Sequence, residues 1–300
     1  MQTSAKYRTA EDLVIDIVVY TIMIIVMITT LYPFWNILAI SLNDALDSIR
    51  GGIYLWPRKF TLNNYRVILS NPDIYHATLI SILRAVIGSI TNVLSCLMVA
   101  YGISRKDYIF RKFISRVIVF TMYFSGGLIP TYLLMKNLHL VGTFWVYILP
   151  GMVSAFNIIV IRSYIDGLPQ SLIESAKIDG ASEYRILFQI IMPLCLPVLA
   201  TVTLWVAVGQ WNSWFDTFLY NSGKPELSTL QFELQKILQS VQSASTNPDF
   251  SASLTSSGRT VTPTAIRATM TIVATLPILF VYPFLQRYFI HGLTIGSIKE

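Results

Sequence analysis

The sequence predicts an all-α polytopic membrane protein with six transmembrane helices. Of its 300 residues, 54% are hydrophobic and only 13% charged, where an ordinary soluble domain carries about 25% charge. The mean hydropathy of +0.58 leaves too few polar residues to cover a soluble fold of this length. Apolar runs recur at 13–42, 77–103, 113–135, 143–165, 194–220 and 265–290. Each reaches the roughly 20 residues that cross the hydrocarbon core as a helix.

The first run, Leu13 to Leu42, is too long for the apolar core of a signal peptide and has no convincing small-residue cleavage site, so it is expected as a retained first helix. Prolines at 33, 130, 150, 277 and 283 fall inside or at the ends of runs, where packed neighbours tolerate kinks. Six spans put both termini on one side. The connection 104–116 holds Arg105, Lys106, Arg111, Lys112 and Arg116, whereas the turn 136–142 holds only Lys136. The positive-inside rule therefore places 104–116 in the cytoplasm, together with both termini and the segment 166–193. Loops 43–76 and 221–264 then face outward. The formal charge of +6 is spread between spans, which suits orientation in a bilayer and gives no reason to expect a nucleic-acid partner. Cys96 and Cys195 lie in or beside apolar runs without metal-ligand spacing, so they read as small buried hydrophobes and no metal site is expected.

One segment breaks the pattern. "ESAKIDGASEYRILFQIIMP", residues 174–193, carries acids, bases and a glycine between two spans. Pro169 and Ser171 open a helix that Glu174, Ala176 and Lys177 continue. Gly180 permits a turn or a close backbone approach. A second helix from Ser182 to Ile191 presents Tyr184, Leu187, Phe188 and Ile191 as an apolar stripe. Pro193 is expected to end that helix and open the next span. The result is a helical hairpin with an uncovered apolar face, which is a docking element, or else a surface loop folded onto its own bundle.

The spacing Glu174-x-Ala176, Asp179-Gly180-Ala181, Ile190-x-x-Pro193 closely resembles the EAA loop of binding-protein-dependent ABC importer permeases. Ser175 stands where that loop usually has alanine, and Met192 where it has leucine. "AYGISRKDYIFRK" (100–112), "ILPGMVSAFNIIVIRSYIDGLP" (148–169) and "QRYFIHGLTIGSIKE" (286–300) are similar to the carbohydrate-importer group typified by MalG. "FSGGLIPTYLLMKNLHL" (124–140) and "VGQWNSWFDTFLY" (208–220) further resemble the LplC- and YtcP-like subgroup, which includes permeases linked to oligosaccharides of pectin or alginate type. The matching text covers roughly residues 75 to 300.

The resemblance implies a type I ABC importer permease fold with a cytoplasmic coupling helix in the bacterial cytoplasmic membrane. It divides the chain into a cytoplasmic N-terminus (1–12), a first helix with outer loop (13–75), a permease domain (76–290) and a cytoplasmic tail (291–300). Within the permease domain, 166–193 is the coupling loop and 221–264 an outer loop. Carried over by position, Glu174, Ala176, Asp179, Gly180 and Ala181, with Leu187 and Phe188, would meet the cytoplasmic ATPase. Gly292, Leu293, Thr294, Gly296 and Ser297 would reach between the two ATPase subunits, and 243–260 would touch the solute-binding protein. The implied partners are a second homologous permease, an ATPase dimer, an extracytoplasmic solute-binding protein, an oligosaccharide and membrane lipid. The chain itself carries no G-x-x-x-x-G-K-[ST] sequence; "SGKPE" at 222–226 has proline after its lysine. ATP and Mg are therefore expected on a separate ATPase, with no cofactor and no enzyme activity in this chain.

Polar residues inside spans are costly and so become candidates for a substrate path. Asn92, Asn157 and the cluster Gln210, Trp211, Asn212, Trp214 and Asp216 offer rings and amides that suit sugars. The same residues also read as an interfacial tryptophan belt or as amides joining helix to helix. Arg84, inside a span, either snorkels, pairs with an acid such as Asp216, or attracts an anionic sugar. The stretch 227–241 has apolar residues at 227, 230, 234, 237, 238 and 241, a helical periodicity. A proton-coupled secondary transporter is the alternative. It would want mid-span acidic or histidine relays, whereas the histidines, at 76, 139 and 291, fall at span edges.

Overall fold

The computed structural model describes residues 10–246 and 262–295, with side chains over 12–240, 262–280 and 283. Among these residues the chain is helical, with no strand beyond an isolated antiparallel bridge between Asn43 and Phe60. The helices are α1 (Ala10–Ser41), α2 (Ala45–Ile49), α3 (Asn63–Leu69), α4 (Pro72–Ser104), α5 (Arg111–Tyr123), α6 (Leu128–Asn137) and α7 (Ala155–Asp166). They continue as α8 (Gln170–Ile178), α9 (Glu183–Leu194), α10 (Leu196–Asn212), α11 (Phe215–Asn221), α12 (Leu230–Thr246) and α13 (Pro263–Ile295).

Among the described residues three segments are long and apolar enough to cross a bilayer unbroken: Asp12–Ser41, Pro72–Ser104 and Pro263–Phe280. The other three expected spans are each bent. α5 and α6 meet at 118°, the turns at Phe144–Gly151 meet α7 at 47°, and α9 meets α10 at 81°. Six spans are reached when each bent pair counts as one. The α5–α6 break falls at Gly126-Gly127, where Gly127 adopts φ +87°, a left-handed conformation that side chains resist. Ser125 Oγ accepts the Gly127 N–H at 3.2 Å there.

The expectation that Pro193 closes the second hairpin helix is corrected. Residues Ile186–Ile191 form a widened π turn, and helical turns run on through Met192–Leu194. Pro193 has no N–H for the Gln189 carbonyl and its ring crowds that carbonyl, so the helix opens locally instead of ending. The 81° bend comes at Cys195. Pro197 withholds a second N–H there, from the Pro193 carbonyl, and the paired omissions leave the backbone too weakly tied to stay straight.

Contacts divide the chain into two units, residues 1–70 with 237–273 and residues 71–236 with 274–300. In the first unit, α1 is apolar on every side, as a helix surrounded by hydrocarbon should be. Its 32 residues exceed the ~20 needed to span. The hydroxyls of Thr21, Thr29 and Thr30 bond carbonyls one turn back, at 2.7, 2.8 and 2.7 Å, which satisfies them where no water is present. The following loop is tied by the buried Asn43. Its amide nitrogen donates to Asp47 Oδ2 and Ser48 Oγ, each at 3.0 Å, while its oxygen accepts the Lys59 N–H at 2.8 Å. Arg58 Nε completes the knot on Asp47 Oδ2 at 3.0 Å. The hydrogen bond from Asn43, then the Arg58 guanidinium, hold the Asp47 carboxyl below its usual range.

In the second unit, α4 supplies the central face. Ser81, Arg84, Gly88, Asn92, Cys96 and Ala100 are all buried at the helical spacing of one stripe. This face packs on α7 and α10. A Cβ on Gly88 would come within 2.9–3.1 Å of the Gln210 side chain, so glycine here leaves room for Gln210 to lie against α4 and reach Arg84. Tyr101, Ile161, Ala176, Leu187, Ile191 and Val202 belong to one apolar core, which joins α8 and α9 to the spans.

Candidate functional site

The hairpin predicted around Gly180 forms, and its turn has a definite geometry. α8 ends at Ile178; Gly180 follows with φ +73°. The Ala181 N–H donates to the Ala176 carbonyl at 2.9 Å, and the Gly180 N–H to the Lys177 carbonyl at 3.0 Å. These two bonds define a Schellman motif, with Ala176, Gly180 and Ala181 at its prescribed positions and an apolar contact closing it. Ala181 accordingly packs against the core that holds Ala176. A Cβ on Gly180 would meet nothing within 4 Å. Within this chain the glycine therefore serves the turn, and its φ rather than crowding favours it. Ser182 caps the start of α9, its Oγ accepting the Arg185 N–H at 3.4 Å, with Glu183 in the favourable first turn.

The apolar stripe is not left uncovered as expected. Leu187 and Ile191 are buried in the chain's own core, with Ile186, while Tyr184 is 76% exposed and Phe188 remains partly exposed. The widened turn at 186–191 changes the angular advance per residue, so the four positions do not share a face. The outward tip is instead made by Ile178, 86% exposed, with Tyr184 and the exposed Glu174 and Asp179 beside it. Ile178 was missed in the sequence because it lies off the helical stripe; its place next to Asp179-Gly180 was the available signal.

Behind the tip is a charged cluster that the sequence did not reveal: Arg105 served there only to orient the chain and Lys177 only to continue a helix. Lys177 Nζ lies 3.0 Å from Glu183 Oε1 and 3.2 Å from Asp107 Oδ2. Arg105 Nη2 reaches Asp107 Oδ2 at 3.2 Å and Glu183 Oε1 at 3.7 Å. The buried Tyr101 hydroxyl donates to Glu183 Oε2. The hydrogen bond from Lys177 holds the Asp107 carboxyl below the usual carboxylate range. Bonds to Glu183 and then Asp107 raise the Lys177 ammonium. The Asp107 contribution is thus present above its unfolded value of 3.8 and lost as pH falls through the lower folded value. The Lys177 contribution is present below 10.5 and lost as pH rises through the higher folded value. The cluster is charged and paired across the whole neutral range.

Most of the substrate-path candidates lie in a polar seam between helices. Arg84 is 3% and Asp216 23% exposed. Arg84 Nη1 bonds Asp216 Oδ1 at 3.0 Å, Nη2 bonds Asp216 Oδ2, and Nε bonds Gln210 Oε1 at 2.6 Å. The guanidinium also lies over the Tyr147 ring, 4.6 Å from its centroid. Arg84 is therefore paired and does not snorkel; an incoming carboxylate would have to displace Asp216. Asn157 Nδ2 donates to Asn92 Oδ1 at 2.9 Å and Asn92 Nδ2 to the Gly151 carbonyl at 2.7 Å, which joins helix to helix. Trp211 is buried, its Nε1 bonded to the Ala274 carbonyl at 2.9 Å. Asp216 and Gln210 are partly exposed but held by Arg84, whereas two other candidates keep accessible surface outside that pairing. Asn212 is exposed and accepts from Gln231 at 3.2 Å. Trp214 is half-buried, with ring centroids 5.8 Å from Phe215 and 6.3 Å from Phe218.

A separate cleft of about 360 Å³ lies between α4, α10 and α13, lined by residues such as Ile82, Val86, Leu204 and Pro277. The hydroxyls of Ser89 and Thr203 on its wall bond their own helices at 2.6 and 2.7 Å. Its surface suits hydrocarbon and offers a sugar nothing to bond. In the tail, the backbone of 292–295 continues α13, while the side chains of Leu293 and Thr294 and the whole of Gly296 and Ser297 lie outside the described residues. The same holds for 247–260 of the loop assigned to the binding protein, and for the side chains of 243–246.

Residues 10–295 match the model of the binding-protein-dependent transport system inner membrane component, and the chain belongs to that family. It is 35% identical over 284 residues to the polygalacturonan/rhamnogalacturonan transport system permease protein YtcP of Bacillus subtilis (strain 168), covering 95% of this chain and 98% of that protein. It is 36% identical over 272 residues to the protein LplC of the same organism, covering 90% of each. Among solved structures it is similar to a bacterial ABC transporter involved in the import of the acidic polysaccharide alginate. That match has a TM-score of 0.84 at 28% identity, over 95% of this chain and 100% of the other. The chain is thus an inner-membrane transport component and not an enzyme, and family membership sets aside the proton-coupled alternative.

Proposed function

We propose that this chain is one membrane subunit of an ATP-driven importer for acidic oligosaccharides of the pectin or alginate type. The hairpin carries the reading: a glycine-locked turn whose base is buried in the bundle and whose tip presents Ile178, Tyr184, Glu174 and Asp179 outward. Rigidity at the base and apolar surface at the tip are what a lever gripped by another protein requires. In this reading a separate ATPase dimer binds ATP and Mg and grips the tip. The tail at 292–297 reaches the same dimer, a second homologous permease completes the pathway, and both termini are cytoplasmic. The solute-binding protein docks on the opposite side, at 243–260. The substrate class follows from relatives named for polygalacturonan/rhamnogalacturonan and alginate. Asn212 and Trp214 are the path residues best placed to meet a sugar, because the other candidates spend their polar groups within the bundle.

Uptake by proteoliposomes holding this chain, its partner permease, the ATPase and the binding protein tests the reading. Oligogalacturonate or oligoalginate should accumulate only with ATP. Trp214→Ala should raise the half-saturating concentration by up to about tenfold, the scale of one aromatic stacking contact. Accumulation without ATP, or preference for a neutral oligosaccharide of equal length, would overturn it.

A further inference from the structure

The hairpin is joined covalently to α7 through residues 167–169 and to α10 through the end of α9; its connection to α4 is not covalent. α9 runs through the 81° bend into α10, so displacement of the tip pulls α10 directly. α4 is separate in sequence, yet its Tyr101 hydroxyl is bonded to Glu183, the first residue of α9. The other oxygen of the same carboxylate takes Lys177 at 3.0 Å, from the opposite arm of the hairpin. Arg105, just past the end of α4, stands 3.7 Å from that oxygen and 5.8 Å from the Tyr101 ring centroid. Glu183 therefore touches both arms of the hairpin and the end of α4 at once.

We infer that Glu183 is a positioning residue that makes α4 move with the hairpin, so that one stroke reaches α4 as well as the two spans the hairpin joins. The inference rests on the proposed coupling role of the hairpin. Apolar packing between α9 and α4 transmits a push, but apolar surfaces slide under shear because their attraction is non-directional. A carboxylate bonded to a buried phenol and to cations on two elements fixes direction as well as distance. α4 is the helix that carries Arg84 and Asn92, so the clamp passes the stroke to the face on which the polar seam is built.

The test uses the complete reconstituted transporter and reads sugar imported per ATP hydrolysed, at equal amounts of assembled complex. Glu183→Ala should lower that ratio about tenfold, the equivalent of one charge-assisted hydrogen bond. Tyr101→Phe, which removes a single oxygen atom and keeps the packing, should lower it in the same direction. The double variant should be no worse than Glu183→Ala, because both remove the same link. Glu183→Gln, still an acceptor for Tyr101, should fall between wild type and Glu183→Ala. Ratios within about twofold of wild type for both single variants, or losses that multiply in the double variant, would overturn the inference. Gly180→Pro, run in parallel, separates the two levels. If it uncouples and Glu183→Ala does not, only the clamp fails; if it leaves coupling intact, the lever reading fails with it.

Discussion

Gly180→Pro is expected to abolish ATP-coupled uptake while the chain still inserts and assembles. The proline ring fixes φ near about −65°, whereas this position sits at +73°. Proline also deletes the N–H that bonds the Lys177 carbonyl at 3.0 Å. Both links of the turn are lost together, and the two arms separate from their set angle. A graded series isolates the cause. Asn, which tolerates the left-handed region, should keep most transport. Ala, at a cost of ~1–2 kcal/mol for the same conformation, should lose part of it. No neighbour lies within 4 Å to clash with the added Cβ, so this order reflects backbone conformation alone. Glu174→Arg gives the complementary result. Its side chain is exposed, so charge reversal should weaken the grip of the ATPase without disturbing the turn. Uptake per ATP hydrolysed is the measurement, and full transport in Gly180→Pro is the outcome that would refute the lever.

Arg84→Ala is expected to destabilise the assembled protein by about 3 kcal/mol, because removing one partner of a buried ion pair leaves the other unneutralised. Asp216 is 23% exposed, which gives its carboxylate some access to water and keeps the cost at the lower end of that range. The pair also joins α4 to the break between α10 and α11, through Gln210 Oε1 and the Ser213 carbonyl. Replacing both partners, as Arg84→Met with Asp216→Leu, should recover much of the loss, since no charge is then stranded. Thermal unfolding in detergent or lipid reads this directly. A carboxylate receptor would behave differently. Arg84→Ala would then weaken affinity for acidic sugars at unchanged stability, and that result would return Arg84 to the substrate path.

The spans and the hairpin were legible in the sequence for different reasons. Composition alone marks an apolar run of 20 residues, because burial of that much hydrocarbon depends little on what lies elsewhere. The turn was legible because a Schellman motif is local: Ala176, Gly180 and Ala181 lie within six consecutive residues, and the left-handed φ favours glycine. The stripe on α9 failed as a prediction because it assumed a regular α repeat, and the turn at Ile186–Ile191 is widened. Ile178, not Leu187, is the outward apolar residue.

The sequence by itself determined that this chain is a membrane bundle with a glycine-locked hairpin, because apolar length and turn chemistry are properties of adjacent residues. Only the tertiary structure decided where the polar groups go. Arg84 finds Asp216 across 132 positions, Asn92 finds Asn157 across 65, and Tyr101 finds Glu183 across 82. In a medium without water Arg84 and Asn92 must find partners within the protein, and which partner each finds depends on how distant helices happen to pack.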